Sequence, residues 1–321
     1  MSNTIYDVII IGGGPAGLTA ALYNARARLK VLVLEKSKLG GQITITHEIA
    51  NFPGAVYGEG DEPSGPELMD RMVEQAKKFG AEIKVGEDVC DLEVDGKVKK
   101  LTCKNGNVYE AKAIICANGA SPRHIGCPGE VELTGKGVSY CATCDGAFFE
   151  DMEVYVVGGG NSAVEEATML AGIARKVTLI QNLSTLTADA IAIENIHKQD
   201  NVEYIFDSVV QEIRGDGIVE EMDIKNTKTG EVTTFTADEE DGTFGVFIFI
   251  GYVPSTDIYK GKVPLNDWGY IESDADMKTS IPGVFAAGDI RPKSLRQVIT
   301  ACGDGAIAAH SAQRYVEHYE A

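Results

Sequence analysis

Two stretches of the chain share one pattern of apolar and polar positions. Residues 8–36, VIIIGGGPAGLTAALYNARARLKVLVLEK, align without a gap to residues 154–182, VYVVGGGNSAVEEATMLAGIARKVTLIQN. In each, a continuous β-branched apolar run predicts a strand buried on both faces of a parallel sheet. A glycine turn follows, then an alanine-rich helix, then a second apolar strand, so each copy is a βαβ unit. Apolar runs at 112–120 (KAIICANGA) and 244–256 (FGVFIFIGYVPST) flank the second copy and read as crossings between two domains. The stretch 202–238 alternates instead, with turn signals at Asp216-Gly217 and Thr229-Gly230, which predicts strands and hairpins. The acidic, glycine-rich GEGDEPSGPE (58–67) reads as a solvated loop. No apolar run reaches the ~18–20 residues of a membrane span. The opening MSNTIYDVIIIGGG enters a strand at once, without the basic start and cleavage site of a signal peptide. A cytoplasmic location is the resulting expectation.

The pattern predicts an α/β fold of two Rossmann-like, three-layer dinucleotide-binding domains, the second inserted in the first. The first is discontinuous, 1–117 plus 246–321, and the insert is 118–245. Each turn carries G-x-G-x-x-G/A: Gly12, Gly14 and Gly17 in the first copy, Gly158, Gly160 and Ala163 in the second. The first glycine permits the tight turn, and the second lets backbone approach a pyrophosphate. The third position packs helix on strand, and the helix N-terminus offers unpaired N–H groups to the phosphates. In the first copy the second strand ends at Glu35, where a carboxylate can accept from a ribose 2′-hydroxyl. The equivalent residue of the second copy is Gln181, which bonds a hydroxyl without charge assistance. No Lys or Arg occurs between Lys176 and Lys198, so a 2′-phosphate finds no partner there either. The first unit is equipped for a dinucleotide, while the second keeps its turn and lacks its clamp.

Composition narrows the partners. The 321 residues are 44% hydrophobic and 24% charged, as in an ordinary globular protein, and carry a net charge of -19. Nucleic acid needs clustered Lys and Arg to neutralise phosphates, so it is not an expected partner; an anionic membrane surface is disfavoured for the same reason. Of the seven cysteines, Cys90, Cys103, Cys116, Cys127 and Cys302 are scattered and read as small apolar residues.

Cys141 and Cys144 differ, lying in CATCDGAFFE. The C-x-x-C spacing lets two sulfurs approach and form an easily reduced small-loop disulfide. A tetrahedral zinc site needs two further ligands at set spacing, and His47, His124, His197, His310 and His318 do not supply it; no metal is expected. Asp145, next to Cys144, is a candidate proton donor or acceptor for a thiolate, or else caps the following turn.

GGGPAG, GGQ (40–42), IANFPG (49–54), CATCDGAFF, GGGNSAVEEA and GVFAAGDI (283–290) with RQVITA (296–301) occur in this order. The chain thereby resembles the bacterial-type low-molecular-weight flavoprotein thioredoxin reductases over essentially its whole length. The resemblance implies FAD on the first domain. Gly12, Gly14 and Gly17 would hold its pyrophosphate and Glu35 its adenosine ribose. Gly41, Gln42 and Asn51 would line the flavin site, and Pro15, Ala16, Lys36, Gly40, Ala117 and Gly119 would be further cofactor-binding residues. Asp289, after Gly288, would accept from a ribityl hydroxyl, and the helix starting near Arg296, Gln297 and Val298 would aim its N-terminal amides at the isoalloxazine. It further implies Cys144 facing the flavin, Cys141 attacking the thioredoxin disulfide, and Asp145 as the acid. A homodimer is implied too, as is rotation of the insert about hinges near Asn118-Gly119 and Gly245.

The chain departs from the family at one place. Members that use NADPH carry His-Arg-Arg and a further Arg after the second copy's last strand; here Gln181, Asn182, Leu183 and Thr187 stand there. Charge-assisted hydrogen bonds contribute roughly 1.5–3 kcal/mol each, so losing two or three weakens binding by about 10²-fold at the least. This resembles a smaller branch, the ferredoxin-dependent flavin thioredoxin reductases, with ferredoxin as electron donor and thioredoxin as acceptor. An enzyme still using NADH or NADPH through other contacts is the alternative, and a flavin-binding sensor without turnover is a third. Ferredoxins are commonly acidic, so docking requires a local basic face. Arg26, Arg28 and Lys30 form one candidate cluster, and Arg291, Lys293 and Arg296 another.

Overall fold

The computed structural model describes residues 4–45, 49, 51–55 and 63–319. His47 and residues 58–62 of the predicted acidic loop lie outside the described residues. The chain opens with β1 (Ile5–Ile11), α1 (Pro15–Arg26) and β2 (Val31–Glu35), the first predicted βαβ unit. Next come α2 (Gly65–Lys78), β3 (Glu82–Val85), β4 (Val89–Glu93), β5 (Lys99–Cys103), β6 (Val108–Cys116) and β7 (Ala120–Pro122). The second half runs through β8 (Val138–Ser139), α3 (Ala142–Asp145), β9 (Glu153–Val157), α4 (Asn161–Ala171), β10 (Lys176–Ile180), α5 (Ala190–Ile196) and β11 (Val202–Ile205). It continues with β12 (Ser208–Arg214), β13 (Glu221–Asn226), β14 (Val232–Thr236), β15 (Gly245–Ile248) and β16 (Tyr252–Pro254), and closes with β17 (Val284–Ala286) and α6 (Val298–Glu317).

Two compact units result: Met1–Ser121 with Val253–Ala321, and Pro122–Tyr252. In the first, β3, β2, β1 and β6 lie side by side in parallel, and β17 pairs parallel to the end of β6. The antiparallel strands β5 and β4 extend the sheet. Register sets Ile10 of β1 between Val33 of β2 and Ile115 of β6. Side chains alternate across a strand. Val8 and Ile10 therefore meet the alanines of α1 and α6 on one face, while Ile9 and Ile11 meet Leu101, Tyr259 and Ile271 on the other. The alanine-rich helices do more than favour helix. A Cβ on Gly305 of α6 would lie 2.2 Å from the Ala16 carbonyl of α1, so only small residues permit this approach.

The second unit has three layers. Its parallel sheet runs β11-β10-β9-β15-β8. Helix α4 covers one face through Ala163, Val164, Ala167 and Leu170. The antiparallel sheet β12–β14 covers the other, where Val210, Ile213, Met222 and Ile224 meet Tyr155, Val157 and Ile180.

The run 244–256 is not a single crossing. Its first half, β15, pairs with β9 and β8 inside the second unit's sheet. Gly245 is therefore a packing glycine, because a Cβ there would come within 2.8 Å of the Phe247 ring and 3.1 Å of Val154. The chain passes between units at 121/122 and 252/253 instead of 117/118 and 245/246, through β7 and β16, which pair with each other. Among the scattered cysteines, Cys103 and Cys116 are buried and Cys127 and Cys302 half-buried, while Cys90 is exposed. No helix among the described residues is long and apolar enough to cross a membrane.

Candidate active site

The first glycine turn is built by steric exclusion. Gly12 has φ +109°, and a Cβ there would stand 2.3 Å from the Ala117 carbonyl. A Cβ on Gly17 would stand 1.9 Å from the Gly12 carbonyl. Gly14 caps α1 without a side-chain bond, Pro15 occupies the first helical turn, and no acidic residue follows, so the helix start is open to an anion. A Cβ on Gly14 would meet only the Gly40 carbonyl, at 4.0 Å. The Gly40 amide donates to the Gly13 carbonyl at 2.8 Å, which draws Gly40, Gly41 and Gln42 against the turn.

Glu35, buried at the end of β2, accepts from the amides of Gly13 at 2.8 Å and Ser37 at 3.0 Å, one on each oxygen. Each carboxylate oxygen keeps capacity for a ribose hydroxyl. Lys36 is exposed beside it.

Gln42 donates to the Ser121 hydroxyl at 3.2 Å, and Asn51 donates to the Gln297 side chain at 3.1 Å. Gln297 in turn caps α6 in a reciprocal box with Thr300, so the helix start is partly capped from within, with Val298 buried as its first residue. Arg296 lies over the Tyr270 ring. Gly119 has φ +70° and open space where a Cβ would be.

Asp289 supplies the test of fit. Its Oδ1 is buried with no hydrogen-bond partner among the described residues, and the Lys293 ammonium is 3.9 Å away. Burial pushes the carboxyl above its ordinary range, although Lys293 and Arg296 pull the other way. An unmatched buried acceptor after Gly288, together with the open glycine turn and the buried Glu35 carboxylate, fits a dinucleotide carrying a polyhydroxyl chain. The residues present therefore fit FAD.

Sequence reasoning missed Ser121 and Asp304. Asp304 accepts from the Gly288 amide at 3.1 Å and lies 2.9 Å from Lys293 and 3.5 Å from Arg291. Those two cations, read as a docking patch, have side chains only 9% and 14% exposed and are consumed in this internal cluster. A linear run of charges gives no sign that a helical Asp lies beneath it.

The redox centre belongs to the second unit. Cys141 caps the short helix α3 and is joined to Cys144 by a disulfide, with a Cα–Cα distance of 5.3 Å. The Cys144 amide donates to Cys141 Sγ at 3.2 Å. Asp145 makes no side-chain cap to the turn it precedes. Its carboxylate accepts from the Ser139 hydroxyl at 2.6 Å, which sets aside the capping alternative. Before Cys141 stands a buried polar hub. Glu130, fully buried, accepts from Tyr140 at 2.7 Å and from the amides of Ile125 and Gly126 at 2.9 and 2.7 Å. His124 Nδ1 lies 2.8 Å from the Tyr140 hydroxyl and 3.3 Å from Glu130.

The second glycine turn repeats the first in backbone and differs in its surroundings. Gly158 has φ +136°, and Gly160 caps the start of α4 without a side-chain bond. Gln181, at the place of Glu35, is 6% exposed and folds onto Gly159, where a Cβ would lie 2.2 Å from its Nε2. Its Oε1 accepts from the Asn182 amide at 3.0 Å, and its Nε2 donates to the Thr185 carbonyl at 3.4 Å. Thr187 donates to the Gly159 carbonyl from both its amide, at 2.7 Å, and its hydroxyl, at 3.2 Å. Gln181 and Thr187 are thus bonded within this edge, while Ser184 donates to Asp207 at 2.7 Å and accepts from Lys228 at 2.9 Å.

Comparison with known proteins agrees with this geometry. Residues 6–305 match the model of the family described as pyridine nucleotide-disulphide oxidoreductase. The chain is 57% identical over 315 residues to a thioredoxin reductase of Peptoclostridium acidaminophilum, covering 98% of each. It is 48% identical to one of Listeria monocytogenes, covering 98% of this chain and 94% of that one. The crystal structure of thioredoxin reductase from Streptococcus pyogenes superimposes with a TM-score of 0.89 at 46% identity, covering 98% of this chain and 99% of that one. The chain therefore belongs to the pyridine nucleotide-disulphide oxidoreductase family and, within it, to the thioredoxin reductases, flavoprotein disulfide reductases that carry FAD.

Proposed function

We propose that this thioredoxin reductase receives its electrons from reduced ferredoxin and passes them through Cys141 and Cys144 to thioredoxin. FAD, when bound, supplies a two-electron store between a one-electron donor and a disulfide. Glu35 would hold its ribose, the amides of α1 its pyrophosphate and Asp289 its ribityl chain. Once the pair is a dithiol, Cys141 is the nucleophile toward the thioredoxin disulfide, because the thiolate is the reactive form of a cysteine. Asp145 supplies the proton to the departing sulfur.

What carries the ferredoxin reading is the closed nucleotide edge of the second unit. Gln181 packs over Gly159 and bonds Asn182 and Thr185, Thr187 bonds the Gly159 carbonyl, and the segment 181–187 carries no Lys or Arg of its own, with Lys228 reaching it at Ser184. The intact turn and the uncapped start of α4 favour the second reading, an enzyme that uses NADH or NADPH through other contacts. Anaerobic stopped-flow reduction of the holoenzyme separates them. Fast bleaching of the flavin absorbance by reduced ferredoxin is expected, with slow reduction at micromolar NADPH or NADH. Rapid bleaching by either nucleotide at micromolar concentration overturns the ferredoxin reading. A homodimeric state belongs to the same proposal and is read by light scattering.

A further inference from the structure

We infer that Ser139 is a positioning residue for the thioredoxin-directed step, its one hydroxyl holding Asp145 and the Cys141 main chain together in both protonation states of Asp145. The inference rests on the thioredoxin-directed chemistry proposed above.

Ser139 is set by the sheet. It ends β8, opposite Phe247 of β15, and is 4% exposed. Its hydroxyl lies 2.6 Å from Asp145 Oδ2, 3.1 Å from the Cys141 amide nitrogen and 3.3 Å from the Cys141 carbonyl oxygen. A hydroxyl has one proton and two lone pairs, so it donates to only one of the two oxygens at a time. While Asp145 is ionised, the short contact to its charged oxygen takes the proton, because charge-assisted bonds are the stronger ones. The Cys141 amide donates to the hydroxyl throughout. When Asp145 is protonated, its O–H donates to Ser139 and the Ser139 proton turns to the Cys141 carbonyl. The contacts persist on both sides of the proton transfer, and the carboxyl stays beside the cysteine loop.

The chemistry needs both states. In the dithiol enzyme the Cys141 thiolate attacks the thioredoxin disulfide. A Cys141–thioredoxin S–S bond forms, the thioredoxin S–S bond breaks, and the departing sulfur takes the proton of Asp145. The Cys144 thiol then gives its proton to the Asp145 carboxylate and attacks Cys141 Sγ. The Cys141–Cys144 disulfide returns, and the second thioredoxin sulfur leaves as a thiolate that solvent protonates. The enzyme pair is oxidised by two electrons, thioredoxin is reduced by two, and Asp145 ends as it began.

The test uses FAD-loaded enzyme reduced anaerobically with dithionite and mixed with excess oxidised thioredoxin in a single turnover. The physiological donor plays no part, so failure of the ferredoxin reading does not enter the result. Ser139→Ala is expected to lower the limiting rate by roughly 10–100-fold, the scale of a misplaced general acid. The half-saturating thioredoxin concentration and the flavin spectrum are expected to stay unchanged. Ser139→Thr, which keeps the hydroxyl, is expected to recover most of the rate. In an Asp145→Asn background, Ser139→Ala is expected to change little. A wild-type limiting rate in Ser139→Ala overturns the inference. So does a full multiplication of the two single effects, which would mean that Ser139 and Asp145 act independently.

Discussion

Glu130 shows how a single buried charge is kept. Burial alone pushes its carboxyl up, yet the Tyr140 hydroxyl, the amides of Gly126 and Ile125, and His124 together hold it below its ordinary value of 4.5. The cost reappears on Tyr140, whose hydroxyl is pushed well above its usual range by burial and by Glu130. A carboxylate held below its unfolded value contributes stability that is present above that value and is lost as pH falls through the folded one. The window therefore lies below pH 4.5. Glu130→Gln is expected to cost about 1–3 kcal/mol at neutral pH, because charged hydrogen bonds become neutral ones. Melting of the variant and wild type at pH 7 and in mild acid reads this. The gap should narrow on acidification, and an equal gap at both pH values would show that the charge contributes nothing. Nothing in the sequence marked Glu130, because its partners, the stretch 124–126 and Tyr140, follow no regular spacing from it.

At the scale of elements, the two βαβ units share a turn and differ in tightness. In the first, the site beside Gly12 admits no Cβ at Gly17. In the second, Ala163 fills the equivalent place, and its Cβ lies 3.0 Å from where one on Gly158 would be. Gly17→Ala is therefore expected to open the first turn, with a loss of roughly 2 kcal/mol or more from overpacking and of most bound FAD. Gly303 of α6 provides the opposite sign. Nothing lies within 4 Å of a Cβ there, so Gly303→Ala should raise stability by about 0.5–1 kcal/mol through helix propensity alone. Thermal melting with the FAD content of the purified protein measures both. Retention of FAD at wild-type stability in Gly17→Ala would show that the turn yields more easily than its geometry implies.

For the molecule as a whole, the net charge of -19 makes any acidic partner depend on local basic surface. Of the two basic clusters, Arg291 and Lys293 are bound to Asp304. Arg26, Arg28 and Lys30 are exposed, with Arg26 over Phe79 and Lys30 over Tyr6. They sit at the far end of α1 from the glycine turn, and a helix of 12 residues puts roughly 18 Å between the two ends. Under the proposed ferredoxin reading, charge reversal at Arg26, Arg28 and Lys30 is expected to leave turnover unchanged at low salt. A several-fold fall that added salt abolishes would return the docking role to that cluster.

The paired βαβ units, the glycine turns, Glu35, and Cys141 with Cys144 and Asp145 were legible in the chain. Each is a local pattern, and a turn or a two-sulfur loop is decided by residues a few positions apart. The run 244–256 reads as one crossing in the sequence, because an apolar strand looks alike whether it joins two units or completes a sheet; only its pairing with β9 and β8 distinguishes them. By itself, the sequence determined the repeated architecture, the redox pair and the missing basic residues at the second unit's nucleotide edge. Tertiary structure alone decided that Gln181 closes over Gly159, that Asp304 neutralises Arg291 and Lys293, and that Ser139 reaches Asp145. Those outcomes depend on where distant polar atoms find their hydrogen-bond partners once water is excluded, and no linear spacing encodes that.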